Sequence, residues 1–126
     1  MVSDPRRLPV DATAQVAGEL LQRPEVRAVY VTERDRLVGV VTRKTLVQEI
    51  VATGRDPRET TLRDIAEPPL FTLDASMNLD DAFQALEDKD LERVPVVEDG
   101  RLVGILSRTV LQRRLAEDEP PPQQQV

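Results

Sequence analysis

The chain has 126 residues and a formal net charge of −6, and 40% of its residues are hydrophobic. This size suits one compact domain, or two half-domains that share a core. The sequence contains no cysteine and no histidine, which excludes disulfides, thiolate nucleophiles, imidazole bases and the usual kinds of zinc site. Aromatic residues make up only 2%, and with the negative charge this argues against nucleic acid as a partner.

No run of residues is as apolar as a membrane span requires. We therefore expect no membrane contact within this chain and a cytoplasmic location, which the absence of cysteine also suits.

The first part of the chain predicts a strand, a helix, a hairpin and a second helix. Thr13 is the predicted N-cap of the first helix, because apolar residues follow it at the spacing of one helix face. Two apolar strands, 28–31 and 37–41, are separated by a polar turn. The second helix begins after Thr42 and again carries apolar residues at helical spacing.

The same order is predicted a second time, because the sequence repeats. The stretch 36–46 returns 65 positions later as 101–111, and nine of the eighteen positions in 29–46 are identical in the second copy. Tandem copies of this size usually bury their apolar faces against each other. We predict an α+β fold (α/β-like) of two βαββα repeats packed with pseudo-twofold symmetry.

The start of the second copy is aligned by pairing Val10 with Leu73, an offset of 63. This makes Ser76 the predicted N-cap of the second copy's first helix. The second copy also has a leading segment, 61–65, that the first copy largely lacks. That difference suggests a piece of a longer polypeptide, or a trimmed start.

Composition then sets the predicted domain boundaries. The first repeat is placed at 1–53, a polar linker at 54–60 and the second repeat at 61–116. Residues 117–126 are rich in acidic residues, proline and glutamine, and are predicted to form a disordered polar tail.

Two copies in this order resemble a pair of cystathionine beta-synthase (CBS) domains, often called a Bateman module. The likeness covers about residues 4 to 115, and it rests on Arg93-Val-Pro-Val-Val97, Gly39-Val-Val-Thr-Arg43 and Gly104-Ile-Leu-Ser-Arg108. The resemblance implies a regulatory or sensor module, not an enzyme, that controls an attached or associated effector. It also implies a homodimer through exposed helices, with no required cofactor. The implied regulatory ligand is AMP, ADP, ATP or S-adenosylmethionine, bound in the clefts between the repeats.

The residues themselves offer a physical basis for such a site. Thr42 and Ser107 each stand where a strand turns into a helix, so that a hydroxyl and free backbone amides point to the same place. Arg43 and Arg108 follow and can add charge-assisted hydrogen bonds. The other predicted ligand-binding positions are cap, strand-start and neighbouring residues: Val10, Thr13, Ala28, Val29, Tyr30, Thr45, Leu73, Ser76, Arg93, Val94 and Pro95.

A plainer interpretation explains the same residues. Thr42 and Ser107 are also ordinary N-caps, each worth about 1 kcal/mol of helix stability, and the arginines that follow are also ordinary solvated surface groups. The family's ribose-binding pattern ends in an acidic residue three positions after the hydroxyl, where this chain has Thr45 and Val110. This departure favours the Thr42 cleft over the Ser107 cleft, and it keeps open a ligand-free structural dimerisation module.

Acidic clusters leave one further alternative. Asp80-Asp81 and the acidic residues from 87 to 90 suggest a Mg²⁺-responsive regulatory domain of a transporter. Acids at a helix start and on a solvated face explain these residues equally well. No metal ligand and no catalytic residue is predicted.

Overall fold

The computed structural model describes residues 6–69 and 71–118, and it confirms a mixed α+β fold in which a βαββα order occurs twice. The elements of the first repeat are β1 (Arg7–Pro9), α1 (Ala14–Leu21), β2 (Val29–Glu33), β3 (Arg36–Val41) and α2 (Arg43–Leu46), which continues as a π-helical turn over Val47–Val51. A short helix, α3 (Leu62–Ile65), comes next. The elements of the second repeat are β4 (Leu73–Asp74), α4 (Leu79–Asp88), β5 (Arg93–Glu98), β6 (Arg101–Ser107) and α5 (Arg108–Asp118).

The chain divides into two compact units that do not coincide with the two sequence copies. Among the described residues, 6–69 and Gly100–Leu102 form the first unit, and Phe71–Asp99 and 103–118 form the second. Helix α3 therefore packs with the first repeat, although its sequence leads into the second copy.

The first unit is built on the β2–β3 hairpin. β1 runs parallel to β2, and β2 runs antiparallel to β3. The first four residues of β2 are buried, as expected for a strand that is covered on both faces. The apolar stripe of α1 packs on this sheet, and Leu62 and Ile65 of α3 complete the same hydrophobic core.

The second unit repeats this arrangement, and fewer of its described residues are buried in the core. β4 pairs in parallel with β5, which lies between β4 and β6. Helix α4 contributes Ala82 and Leu86 to the core, and α5 contributes Leu111. The helix α5 extends to Asp118, and residues 119–126 of the predicted tail lie outside the described residues.

The strand register shows that one offset of 65 relates the copies from β1 onward. Leu8 pairs with Val31 just as Leu73 pairs with Val96, so Leu73 corresponds to Leu8. The predicted alignment of Leu73 with Val10, at an offset of 63, was therefore wrong. The loops before α1 and α4 have equal length, so the alignment of the two copies needs no two-residue gap.

The same shift corrects one helix cap. Thr13 caps α1 as predicted, but the N-cap of α4 is Asn78, whose side chain accepts a hydrogen bond from the backbone N–H of Asp81 at 2.8 Å. Ser76 lies earlier, in a turn where its hydroxyl and its backbone N–H both donate to Asp74 Oδ1. That turn draws the pKa of Asp74 below its ordinary value, through the Ser76 hydroxyl first and the backbone N–H second.

Both hairpins turn through two residues with positive φ. These are Arg34 and Asp35 in the first repeat, with φ of 53° and 66°, and Asp99 and Gly100 in the second, with φ of 53° and 82°. Positive φ at both central positions is the type I′ geometry, which matches the twist of the flanking strands and favours an Asp-Gly or Asn-Gly sequence. Only the second turn has the favoured glycine.

No helix within the described ranges, 6–69 and 71–118, has the length and apolar character needed to cross a bilayer.

We predict that Asp35→Gly stabilises the protein by about 0.5 kcal/mol. Glycine adopts the left-handed conformation without steric strain, and this gain exceeds the loss from the greater freedom of the unfolded chain. Urea unfolding at neutral pH measures the change. The matched control is Gly100→Ala, which places a Cβ in the same conformation and against the Arg36 guanidinium, and it should destabilise. A lower unfolding free energy for Asp35→Gly would contradict this account of the turn.

Candidate functional site

The first candidate site lies where β3 passes into α2. Thr42 is the N-cap of α2, and its hydroxyl accepts a hydrogen bond from the backbone N–H of Thr45 at 3.3 Å. In return, Thr45 Oγ1 accepts from the backbone N–H of Thr42 at 3.0 Å. The two side chains thus form a reciprocal capping box, with their hydroxyl oxygens 3.2 Å apart.

A carboxylate from another part of the chain joins this pair. Thr45 Oγ1 donates a hydrogen bond to Glu67 Oε1 at 3.2 Å. Glu67 lies 22 positions after Thr45, and its side chain remains exposed. A hydroxyl and an exposed carboxylate therefore meet at the end of β3.

Backbone pairing holds Glu67 in place. Its N–H donates to the Val40 carbonyl at 2.9 Å, and its carbonyl accepts from the Val40 N–H at 2.7 Å. The close approach depends on Gly39, because a Cβ there would lie 2.7 Å from the Ala66 Cβ and 3.1 Å from the Glu67 carbonyl oxygen. Gly39, noted in the sequence only as a motif residue, has a clear structural function: it admits the segment that carries Glu67.

Thr45 is a fully engaged internal group. Its side chain is 1% exposed, and its hydroxyl both accepts from Thr42 and donates to Glu67. Since a hydroxyl has one donor and two acceptor sites, little of its capacity is left for a ligand. In this structure it positions its neighbours.

Arg43, which was predicted to bind the ligand, instead contacts the C-terminal end of helix α1. Its guanidinium Nη2 donates to the Arg23 carbonyl at 2.7 Å, just beyond the C-cap of α1. The same carbonyl accepts from the Val26 N–H at 3.0 Å, so Arg43 adds a second hydrogen bond there. A cation at the C-terminal end of a helix also interacts favourably with the helix dipole.

The corresponding place in the second repeat is organised differently. Ser107 caps α5, accepting a hydrogen bond from the Val110 N–H at 3.1 Å. Val110 occupies the position of Thr45, so its side chain makes no reciprocal bond. The hydroxyl of Thr109 instead donates to Glu92 Oε1 at 2.8 Å.

Arg108 takes part in this second cluster. Its guanidinium lies 3.7 Å from the Glu92 carboxylate and 3.5 Å from that of Asp90, and its side chain is 31% exposed. The hydrogen bond from Thr109, more than any other cause, holds the pKa of Glu92 below its ordinary value, and Arg108 adds a smaller charge effect. Arg108 is thus paired with acidic groups of its own repeat.

Four of the other predicted ligand-binding residues belong to the two hydrophobic cores: Val10, Val29, Leu73 and Val94. Val29 and Val94 are 0% and 1% exposed. Ala28 is half-buried, whereas Arg93 and Ser76 are exposed. Thr13 is an N-cap bonded to the Val16 N–H at 3.3 Å. Tyr30 and Pro95 are buried as well, but they lie outside the two core clusters.

The two glutamates were missed by the sequence analysis. Glu67 and Glu92 lie outside the repeated motif, and each reaches its partner only through tertiary packing. No spacing rule links residue 67 to residue 45. For Glu92, the basic residue Arg108 sixteen positions later gave no local signal either.

Within residues 6–69 and 71–118, no three acidic side chains are grouped closely enough to hold a metal ion. The paired βαββα organisation, with a hydroxyl at each strand-to-helix turn, defines the class of protein as a tandem module of two small repeats. The chain belongs to the CBS domain family, whose model matches residues 1–52 and 62–117.

Known proteins of similar sequence and structure agree with this assignment. Hypoxic response protein 1 of Mycobacterium tuberculosis is 28% identical over 106 residues, which cover 83% of this chain and 74% of that protein. A crystal structure of Hypoxic Response Protein I, with two coordinated zinc ions, has a TM-score of 0.73 and 25% identity, and covers 90% of this chain and 94% of that one. The absence of histidine and cysteine here leaves the usual nitrogen and sulfur zinc ligands without a counterpart.

Two further relatives extend the comparison. An uncharacterised protein of Methanopyrus kandleri is 31% identical over 100 residues; the match covers 79% of this chain but only 51% of that protein, so the chain spans about half its length. OpuCA of Staphylococcus aureus has a TM-score of 0.74 at 21% identity, with 92% of this chain and 96% of that chain covered. At that identity the likeness concerns the fold alone.

The Glu92 cluster generates a prediction for acid stability. Because the folded pKa of Glu92 lies below 4.5, its ordinary value, its stabilising effect is fully present above that pH and is lost as the pH falls through the folded pKa. Glu92→Gln should therefore lose stability relative to wild type at pH 7 and converge with it below that window. Urea unfolding at pH 7 and in the acid range tests this.

The partner hydroxyl provides the matched control for this experiment. Thr109→Val should reduce the pH dependence in the same direction, and the double variant should add little to either single change. An undiminished pH dependence in Glu92→Gln would show that the hydrogen bond has no measurable effect on stability.

Proposed function

We propose that this CBS pair is a regulatory module that binds an adenosine-containing ligand, such as AMP, ADP, ATP or S-adenosylmethionine, at the first repeat beside Thr42. Binding would favour one arrangement of the module over another and so control an attached or associated effector. Such control requires a ligand with different affinities for the two arrangements.

The single observation that supports this proposal is the contact between Thr45 and Glu67. The family's acidic residue, which accepts hydrogen bonds from the ribose hydroxyls, is replaced in the sequence by Thr45. The Glu67 carboxylate, 3.2 Å from the Thr45 hydroxyl, brings an exposed acidic group back to that corner of the site. We assign to Glu67 the function of ribose acceptor that Thr45 does not fill.

The second repeat lacks this combination. The Val110 side chain offers no hydrogen bond, and the Glu92 carboxylate already accepts from Thr109 and faces the Arg108 guanidinium. A carboxylate that is also paired with an arginine of its own repeat is less available to ribose hydroxyls. The proposal therefore assigns adenosine binding to the Thr42 side and not to the Ser107 side.

We predict that one of AMP, ADP, ATP and S-adenosylmethionine raises the melting temperature of the protein. A ligand at 100 times its dissociation constant stabilises the folded state by about 2.7 kcal/mol. Glu67→Gln keeps an oxygen for Thr45 but loses the charge, and it should weaken binding about tenfold or more in calorimetry, since bonds to charged acceptors are the stronger ones.

The matched control is Glu92→Gln, the same chemical change at the carboxylate of the second repeat, which should leave the affinity unchanged. Equal weakening by both substitutions would contradict the assignment to Glu67. If none of the four compounds shifts the melting transition, the proposal of an adenosine sensor is wrong.

A second candidate function, structural dimerisation, is supported by exposed apolar side chains on a helical surface. Val47 and Val51 lie one turn apart on the π-helical turn after α2, and they are 56% and 73% exposed. Contiguous exposed apolar surface is one mark of a contact with another protein. We propose that they form part of a homodimer interface.

We expect the double variant Val47→Lys, Val51→Lys to shift the protein from dimer to monomer in sedimentation equilibrium, because the buried interface cannot accommodate two unpaired charges. Val38→Lys is the matched control: this valine is 44% exposed but lies on β3 instead of a helix. A wild-type monomer, or a dimer that survives the double variant, would refute this interface.

A further inference from the structure

A group of four exposed basic residues lies at the open end of the β2–β3 hairpin in the first unit. Val29 pairs with Val41 in the antiparallel ladder. Arg27 and Arg43 are two positions beyond this pair, so they leave the sheet at the same end. The group, named the basic corner, consists of Arg23, Arg27, Arg43 and Lys44.

Hydrogen bonds to one carbonyl fix this grouping. Arg43 Nη2 donates to the Arg23 carbonyl at 2.7 Å, and the Val26 N–H donates to the same carbonyl at 3.0 Å. The loop that carries Arg23 and Arg27 is therefore attached to the beginning of α2, where Lys44 follows Arg43. A guanidinium has five N–H donors, so Arg43 keeps donors for a further acceptor.

The basic corner has no acidic partner among residues 6–69 and 71–118. The ion pairs found there involve Arg63 and Arg108 instead. The adjoining segments carry the acidic residues Glu19, Glu25, Glu49 and Glu67. None of these described residues forms an ion pair with the corner. Like charges held together in this way create a positive potential that attracts anionic groups.

The corresponding positions of the second repeat do not carry this charge. At the offset of 65, the counterparts of Arg23, Arg27 and Lys44 are Asp88, Glu92 and Thr109. There the Glu92 carboxylate accepts from Thr109 and faces the Arg108 guanidinium, so the one basic side chain has an acidic partner. Both repeats adopt the βαββα order with these different side chains. The fold therefore does not require the basic ones, and their charge is available for binding.

We propose that the basic corner is a docking surface for an acidic segment, rich in aspartate or glutamate, of a partner protein. Arginine binds carboxylates through paired charge-assisted hydrogen bonds. The cations come from three consecutive elements, the end of α1, the loop before β2 and the beginning of α2, which suits several carboxylates of one segment. Complementary charge of this kind speeds association and selects the partner. The proposal does not rest on adenosine binding, which was assigned to Thr42 and Glu67.

The probe for this proposal is a fluorescent oligoglutamate peptide, titrated with the full chain by anisotropy without nucleotide, at about 0.15 M salt. We expect saturable binding that is weakened about tenfold or more by the double variant Arg27→Ala, Lys44→Ala, because charge-assisted hydrogen bonds are lost. Neither side chain forms a hydrogen bond or ion pair within the described structure, so we expect the variant to fold as the wild type does.

The matched control is the double variant Arg55→Ala, Arg58→Ala, which removes the same charge from exposed positions of the linker in the same unit. The linker contacts the other end of α1, where the Pro57 carbonyl accepts from the Gln15 N–H, about 12 Å along the helix from the corner. Because charges at that distance are screened, the control should leave the affinity nearly unchanged. A peptide of glutamines should not bind.

Four outcomes would overturn the proposal. One is no binding of oligoglutamate at about 1 mM, the weak end of specific association. Another is equal weakening by the two double variants, which would show attraction to basic residues in general. If inorganic triphosphate binds through Arg27 and Lys44 and oligoglutamate does not, the corner is a site for a small phosphate anion. If Arg27→Ala, Lys44→Ala converts a dimer to a monomer and leaves oligoglutamate binding unchanged, the corner is a contact between copies of this chain.

Discussion

The two backbone hydrogen bonds between Val40 and Glu67 are the constraint on which the first repeat depends. They attach the segment after the linker to the end of β3, at 2.7 and 2.9 Å. Gly39 makes this approach sterically feasible, because any side chain there would meet Ala66. A reciprocal pair of backbone hydrogen bonds fixes the position of both segments, since backbone N–H and C=O groups that lose their partners away from water are costly.

Two consequences follow from this attachment. The segment buries Leu62 and Ile65 in the first core. It also delivers the Glu67 carboxylate to the Thr42–Thr45 capping box. The packing of the first repeat and the chemistry of the candidate ligand site thus both depend on the attachment of this segment to β3.

The two repeats use a shared scaffold for different local purposes. Each ends its hairpin at a hydroxyl that caps a helix, and each has a glutamate next to that turn. Both glutamates are exposed and accept a hydrogen bond from a threonine hydroxyl. In the first repeat the glutamate comes from after the linker, whereas in the second it also faces the Arg108 guanidinium. Two differences in sequence accompany this divergence. The first repeat has Lys44 and Thr45 where the second has Thr109 and Val110.

The sequence by itself determined the repeated βαββα order, the hairpins and the caps at Thr13, Thr42 and Ser107, because these depend on local periodicity and on residues close together in the chain. It misplaced the cap of α4 by two residues, since Ser76 and Asn78 are both good caps and only the strand register distinguishes them. The contacts of Thr45 with Glu67, of Arg43 with Arg23 and of Arg108 with Glu92 and Asp90 were decided by the tertiary structure alone. Each of these contacts joins residues at least sixteen positions apart, and side chains that meet through packing leave no periodic trace in the sequence.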